Sequence, residues 1–217
     1  MWAGHLGAAL ALKRGNRDIN LGLLFLATQL ADVVLWILVL AGVEHVTVPA
    51  DYAHRHYFLF DFPYSHSLPA TGAWCLITFV VTAALGSRIG VGVRRFRAGG
   101  ILAAAVFSHF FLDVLVHPAQ PLPNGNSTIG IGLWDAMPIA LALELGIVVL
   151  GWRLFVRGNE LSGERTRGLA GMVAIVSVLT VVGMTVAPAP TSLTAVAITS
   201  LASALVVSAI AWRLDRN

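Results

Sequence analysis

The segment ILAAAVFSHFFLDVLVHP, residues 101–118, combines a long apolar run with three ionisable side chains. These are His109, Asp113 and His117, and each follows the previous one by four positions. Positions i, i+4 and i+8 share one face of an α-helix, which turns by about 100° per residue. The segment therefore predicts an apolar helix with a single polar stripe, which belongs in a lipid bilayer with its stripe facing other helices.

The composition of the whole chain predicts the same environment. Of its 217 residues, 57% are hydrophobic and 12% are charged, and the mean hydropathy is +0.80. Soluble domains have about 25% charged residues, so the sequence is that of an integral membrane protein. The net charge of +3 comes from short basic clusters between apolar runs, which is typical of membrane proteins and excludes nucleic acid as a partner.

About 20 apolar residues are needed to cross the hydrocarbon core of a bilayer. Six stretches meet this length approximately: 19–42, 67–86, 99–117, 133–155, 168–187 and 192–212. The apolar run from Trp2 to Leu12 covers only about 16 Å as a helix, so we interpret it as a half-helix that its neighbours must shield. The prediction is an all-α polytopic bundle of six transmembrane helices plus this half-helix.

The chain forms one integral membrane domain, residues 1–217, in which ionisable residues are unevenly distributed. Residues 1–155 contain every candidate site residue, whereas 168–212 contain no Asp, Glu or His and are predicted to be two scaffold helices. Thirteen of the fourteen Lys and Arg residues fall in one alternate set of connections and termini, and Arg55 is the exception. The positive-inside rule then places both termini in the cytoplasm and residues 43–66, 118–132 and 188–191 outside.

Several ionisable side chains fall at similar depths in the predicted bundle. Counted from the cytoplasmic boundary at about 1.5 Å per residue, His5 lies at about 12 Å, His109 at about 15 Å and Asp113 at about 21 Å. Asp32 lies at about 20 Å, and Glu144 lies about 16 Å below the outer boundary. Pro63 can interrupt regular structure before the next span, so that His66 reaches this level from the outer side.

A cluster of carboxylates and histidines in a region of low dielectric needs a partner. A divalent metal ion neutralises the carboxylates and accepts neutral imidazoles as ligands, and mixed nitrogen and oxygen ligands suit zinc, with manganese or iron also possible. Such an ion activates water, and Glu144 or His117 could act as general base or acid. Alternatives remain open: buried ion pairs that fix helix packing, a proton- or metal-coupled transporter, and a non-enzymatic membrane scaffold.

At these residues the sequence resembles a known family. The order of GH (Gly4 and His5), Asp32, SHSL (65–68) and SHFFLD (108–113) is similar to that of the predicted membrane-bound metal-dependent hydrolases, the LexA-binding, inner-membrane-associated putative hydrolases. The resemblance covers roughly the first 155 residues. It implies location in the plasma membrane, the bacterial inner membrane, and a set of five metal ligands: His5, Asp32, His66, His109 and Asp113.

In one position the chain departs from that family. Val34 stands where the PDID pattern of the family has its second acidic residue, which argues against a second metal ion. The resulting expectation is a hydrolase that attacks its substrate with a metal-bound water. Because the site lies deep in the membrane, the expected partners are membrane lipids, with a lipid or lipid-linked ester, phosphoester or amide as substrate from the outer leaflet.

Overall fold

The computed structural model describes residues 1–86, 94–118, 120–121 and 128–215. Arg88 and Arg216, which belong to the predicted cytoplasmic set, and residues 119 and 122–127 of the predicted outer connection lie outside these ranges. The helices are α1 (Trp2–Lys13), α2 (Leu21–Thr28), α3 (Leu30–Leu40), α4 (Tyr52–Arg55), α5 (Leu68–Leu85), α6 (Arg95–Val116), α7 (Met137–Gly158), α8 (Gly163–Thr185) and α9 (Leu193–Leu214).

The remaining regular structure consists of short elements near one end of the bundle. Strand β1 (His45–Thr47) pairs antiparallel with β2 (Leu59–Asp61), and β3 (Gln120–Pro121) pairs antiparallel with β4 (Thr128–Ile129). A 3₁₀ turn, Leu133–Ala136, leads into α7. The prediction of an all-α helical membrane bundle is therefore confirmed.

Five of the helices, α5 to α9, are long and apolar enough to cross a membrane. The pair α2 and α3 makes a sixth span if the two are counted together, but they are bent by 53°. The prediction of one continuous helix over 19–42 is therefore wrong in this respect. Hydropathy does not detect the break, because the residues on both sides of it are apolar.

The break in this span lies at Gln29, whose φ of −109° and ψ of 8° are not helical. The Gln29 side chain is buried and accepts a hydrogen bond of 2.9 Å from Trp2 Nε1, and its Nε2 donates to the carbonyl of Phe25 at 3.4 Å. These contacts stabilise the bend by satisfying the polar atoms of a buried amide.

The short helix α1 lies in the centre of the bundle, packed against α7, α2 and α6. Its contact with α7 depends on glycines, since a Cβ atom placed on Gly151 would lie 2.1 Å from the carbonyl oxygen of Gly7. Such an approach is possible only without side chains at the contact. The surrounding helices therefore shield α1, as predicted for a half-helix that does not cross the membrane.

Basic residues gather at the end of the bundle where α1 ends and α9 ends. The Lys13 ammonium lies 2.6 Å from Asp215 Oδ2, and Arg17 Nε donates to the carbonyl of Gly158 at 2.6 Å. Arg55 lies in α4, beyond the opposite ends of the helices. The described residues are thus arranged with the charge asymmetry that underlies the predicted orientation, while the side of the membrane remains a prediction.

Residues 44–66, here called the outer cover, fold over the end of the bundle that lies away from the basic residues. Phe62 lies against His66, with ring centroids 4.7 Å apart, and Trp134 lies 4.1 Å from the ring of His117. Tyr57 donates a hydrogen bond to Asp135, and its burial together with this bond raises the pKa of Tyr57. The outer cover and the 3₁₀ turn thus exclude water from one side of the polar stripe on α6.

Candidate metal centre

The polar stripe of α6 is buried and converges on a single carboxylate. Asp113 Oδ2 lies 3.3 Å from Nε2 of His109 and 3.4 Å from Nε2 of His117. Helical spacing alone brings these three side chains to one face, one turn apart. The stripe is therefore formed by α6 alone, and other segments of the chain contribute the further side chains of the site.

Four ligand atoms from different parts of the chain meet at this stripe, and we call them the ligand quartet: Asp32 Oδ1, His66 Nε2, His109 Nε2 and Asp113 Oδ2. His66 Nε2 lies 3.1 Å from His109 Nε2, 3.5 Å from Asp32 Oδ1 and 3.6 Å from Asp113 Oδ2. His109 Nε2 lies 3.8 Å from Asp32 Oδ1. Ligands at about 2.0–2.2 Å from a tetrahedral zinc ion are about 3.3–3.6 Å apart. The two imidazole nitrogens lie at distances close to this spacing, 3.1–3.8 Å, from each other and from the carboxylate oxygens of Asp32 and Asp113. The ligand atoms of Asp32, His66 and His109 all lie within 4.8 Å of one another.

The ring orientation of His109 is set by the break between α2 and α3. His109 Nδ1 lies 2.7 Å from the carbonyl oxygen of Thr28, the last residue of α2. A carbonyl only accepts, so Nδ1 carries the proton and donates it. Because α2 ends here, its last carbonyls lack helical partners, and the Thr28 carbonyl is available to hold the ring.

The ring of His66 is oriented by a chain of hydrogen bonds that runs to Glu44. Ser65 Oγ donates to Glu44 Oε2 at 2.7 Å and lies 2.8 Å from His66 Nδ1. The other oxygen of Glu44 accepts from the backbone N–H groups of Tyr64 and Ser65. Since the hydroxyl proton of Ser65 points to the carboxylate, the Ser65 oxygen accepts a hydrogen bond from the Nδ1–H group of His66.

Both imidazoles of the quartet therefore direct a lone pair into the site when they are neutral. His66 Nε2 and His109 Nε2 are only 3.1 Å apart and cannot donate to each other in these tautomers. One carboxylate oxygen each of Asp32 and Asp113 lies within 3.8 Å of these nitrogens. A divalent cation could satisfy these lone pairs and negative charges together.

His5, on α1, lies at the edge of the quartet. Its ring stacks on that of His109 with centroids 3.8 Å apart, and its Nε2 lies 3.2 Å from Asp113 Oδ1. The α-amino group of Met1 lies at the same distance from this oxygen. Neither ring nitrogen of His5 has a well-aligned hydrogen bond within the described part of the chain, although the side chain is fully buried. His5, His109 and Asp113 offer ligand atoms that all lie within 4.8 Å of one another.

Glu144 and His117, the two predicted acid–base residues, lie at different places around the site. Glu144 is buried on α7 and accepts a hydrogen bond of 3.2 Å from the backbone N–H of Gly4, near the start of α1. A carboxylate at this position stabilises the N-terminal end of a helix. His117 follows the last residue of α6, and its Nε2 lies beside the carboxylate of Asp113.

The site opens on one side into a cavity of about 470 Å³. The side chain of Asp32 is 32% exposed and lines this cavity, whereas the other predicted metal ligands are at most 3% exposed. Glu144 also lines the cavity, and most of the wall is apolar. Part of that wall comes from α8 and α9, so the two helices expected to be scaffold also shape the access to the site.

The five ligands that the resemblance implies, His5, Asp32, His66, His109 and Asp113, thus lie together. Three residues that hold these side chains in place, Thr28, Ser65 and Glu44, were not among the predicted site residues. An acidic residue at the start of a predicted outer connection was a signal for Glu44, but its partner 21 positions away was not predictable. Thr28 acts through its backbone carbonyl, and because every residue has such a carbonyl, the residue type at this position does not predict the contact.

Comparison of the chain with family models, with curated proteins and with solved structures found no match.

Proposed function

We propose that this protein is a membrane-embedded metal-dependent hydrolase that acts on a lipid or a lipid-linked ester, phosphoester or amide. The ligand quartet and His5 would hold the ion, and zinc suits this set of nitrogen and oxygen donors best. The proposal is in keeping with the resemblance to the membrane-bound metal-dependent hydrolases. The plasma membrane, with the outer cover facing outward, is the proposed location.

The observation that carries the proposal is the combination of the ligand quartet with an apolar cavity on its Asp32 side. A purely structural ion pair would be closed on all sides by its partners, as buried charges usually are. Here one carboxylate is accessible from a space large enough for a small molecule. Catalytic metal sites differ from structural ones in keeping such an open position.

A divalent ion bound here would supply Lewis-acid activation of water and of the bond to be cleaved. Residues of the chain would provide the contact with the substrate and the proton transfers. Asp32 faces the substrate space, and Glu144 lines the same space as a carboxylate that can accept a proton from water. His117 lies beside Asp113 and does not line the cavity, so its proposed acid–base role would act on the site through Asp113.

Metal analysis of the purified protein tests the first part of the proposal. We expect a stoichiometric divalent metal in the wild type and its loss in His109→Ala, because this variant removes a ligand atom from the centre of the quartet. His54→Ala is the matched control, since His54 lies exposed on α4 and should leave the metal content unchanged. Wild-type protein without bound metal, purified in the absence of chelators, would contradict the proposal.

Turnover of lipids tests the second part. Vesicles made from a bacterial lipid extract would be incubated with the reconstituted protein and analysed by mass spectrometry, with Asp113→Asn as the inactive reference. We expect one lipid class to be converted by the wild type only. Stoichiometric metal without any turnover, together with metal flux into the vesicles, would instead indicate a carrier.

A further inference from the structure

The helices α8 and α9 are in close contact over only part of their length. Toward the end with the basic residues, they share one buried core that includes Val173 and Val176 of α8 and Val207 and Ala211 of α9. Toward the other end, both helices instead border the cavity described above. The two helices therefore enclose a space between them in that half of the membrane.

This space reaches the surface that faces the lipid. Leu179 of α8 lines the cavity and yet is 52% exposed, and Thr199 of α9 also lines it and is exposed. Each residue lies six positions from the nearer end of its helix, which is about 9 Å along the axis. The two exposed lining residues are thus at equal depth, within the acyl-chain region of one leaflet.

The walls and the floor of the cavity differ in polarity. Trp36 and Val33 of α3 line it together with Met184 of α8 and Val196 of α9. Its polar floor includes Asp32 and Glu144, which belong to the candidate metal centre and its surroundings. The lining is mostly apolar, with hydroxyl side chains on the two helices, Thr180, Ser200 and Ser203, and the two carboxylates at the floor. A mostly apolar chamber with its charged groups at one end suits an amphiphilic ligand with its polar end inward.

We infer that the cavity is the binding site for one hydrocarbon chain of a membrane lipid, which enters sideways through the gap between Leu179 and Thr199. The polar group of the lipid then lies at Asp32. The inference rests on the proposed function for the role of this polar group, whereas binding of the chain itself requires no metal ion. A volume of about 470 Å³ lies within the range of roughly 300–1,000 Å³ that small-molecule sites have.

Two substitutions can fill the chamber from opposite walls. Gly183 lines the cavity from α8, and a Cβ atom added there would meet nothing within 4 Å, so Gly183→Leu projects into free space. Ser203→Leu does the same from α9. Gly171→Leu is the matched control, because Gly171 lies on α8 with equally free surroundings but outside the cavity.

The test uses photolabelling in phosphatidylcholine vesicles with phosphatidylglycerol whose acyl chain contains a mid-chain diazirine. In the wild type and in Gly171→Leu, we expect labels on cavity-lining residues such as Met184 and Ser200, in addition to the outward faces of the helices. Gly183→Leu and Ser203→Leu should lose the cavity labels while keeping the outward ones and their bound metal. Either variant that remains folded is sufficient for the test.

The outcomes distinguish this inference from the proposed function. His109→Ala should lose its metal but keep the cavity labels, because His109 does not line the cavity. Labels confined to outward-facing residues in the wild type, or cavity labels that persist in a filled variant that remains folded, would overturn the inference. Either result would leave the metal content of the wild type, and so the test of the metal centre, unaffected.

Discussion

The hydrogen-bond chain from Glu44 through Ser65 to His66 leads to a quantitative prediction about metal affinity. In Ser65→Ala, the buried N–H of His66 Nδ1 loses its acceptor and Glu44 loses one of its three hydrogen-bond donors. The ring is then free to rotate or to change tautomer, so that Nε2 would no longer present its lone pair to an ion bound at the proposed site. Loss of such a supporting partner typically weakens metal binding by about 10–100-fold, which corresponds to about 1.4–2.8 kcal/mol.

Competition with a chromogenic zinc chelator in detergent solution measures this effect. Ser108→Ala is the matched control: among the described residues the Ser108 hydroxyl bonds only within α6, to the carbonyl of Ala105, although it neighbours the candidate ligand His109. We expect unchanged affinity in the control. Equal affinity of wild type and Ser65→Ala, with both proteins folded, would refute the assignment of Ser65 as a positioning residue.

A double-mutant cycle sharpens the same prediction. Glu44→Gln removes the negative charge to which the Ser65 hydroxyl donates, and we expect it to weaken zinc binding as well. The two residues act on His66 through one chain of hydrogen bonds. The loss of zinc affinity in the double variant should therefore be only slightly greater than the larger of the two single losses. Fully additive losses would mean that Glu44 acts on the site by another route, such as long-range charge.

Two further predictions concern the packing of the bundle and are tested by thermal unfolding in detergent. Gly151→Ala should destabilise the protein by about 1–3 kcal/mol, because the added methyl group meets the carbonyl of Gly7. The control Gly146→Ala, on the same helix, has free space around the added methyl group and should be neutral or stabilising. Equal effects of the two substitutions on the free energy of unfolding would contradict the close α1–α7 contact. Lys13→Met should cost about 3–5 kcal/mol, since it leaves the buried carboxylate of Asp215 without its cation, and a change below about 1 kcal/mol would show that the pair is hydrated.

The membrane class and most of the spans were predictable because both depend on composition and local periodicity. Apolar runs of about 20 residues identify helices whatever their neighbours are. The stripe of His109, Asp113 and His117 was predictable for the same reason, since helix geometry alone aligns residues four positions apart. Because Asp32 and Asp113 have similar predicted depths in the membrane, the proximity of Asp32 to this stripe was also predictable. The bend that orients Asp32 was not.

The sequence by itself determined three features of this protein: its lipid environment, its helical architecture and the types of ionisable residue at the middle of the bundle. Only the tertiary structure decided how they act: the bend that frees the Thr28 carbonyl for His109, the pairing of Glu44 with Ser65, and the separation of α8 from α9 that opens a cavity beside Asp32. These features depend on contacts between distant segments and on backbone groups. Local hydrophobic periodicity predicts neither kind of feature. Every residue has a backbone carbonyl, so the residue type does not show which carbonyl is used, and a cavity arises where distant segments do not pack together.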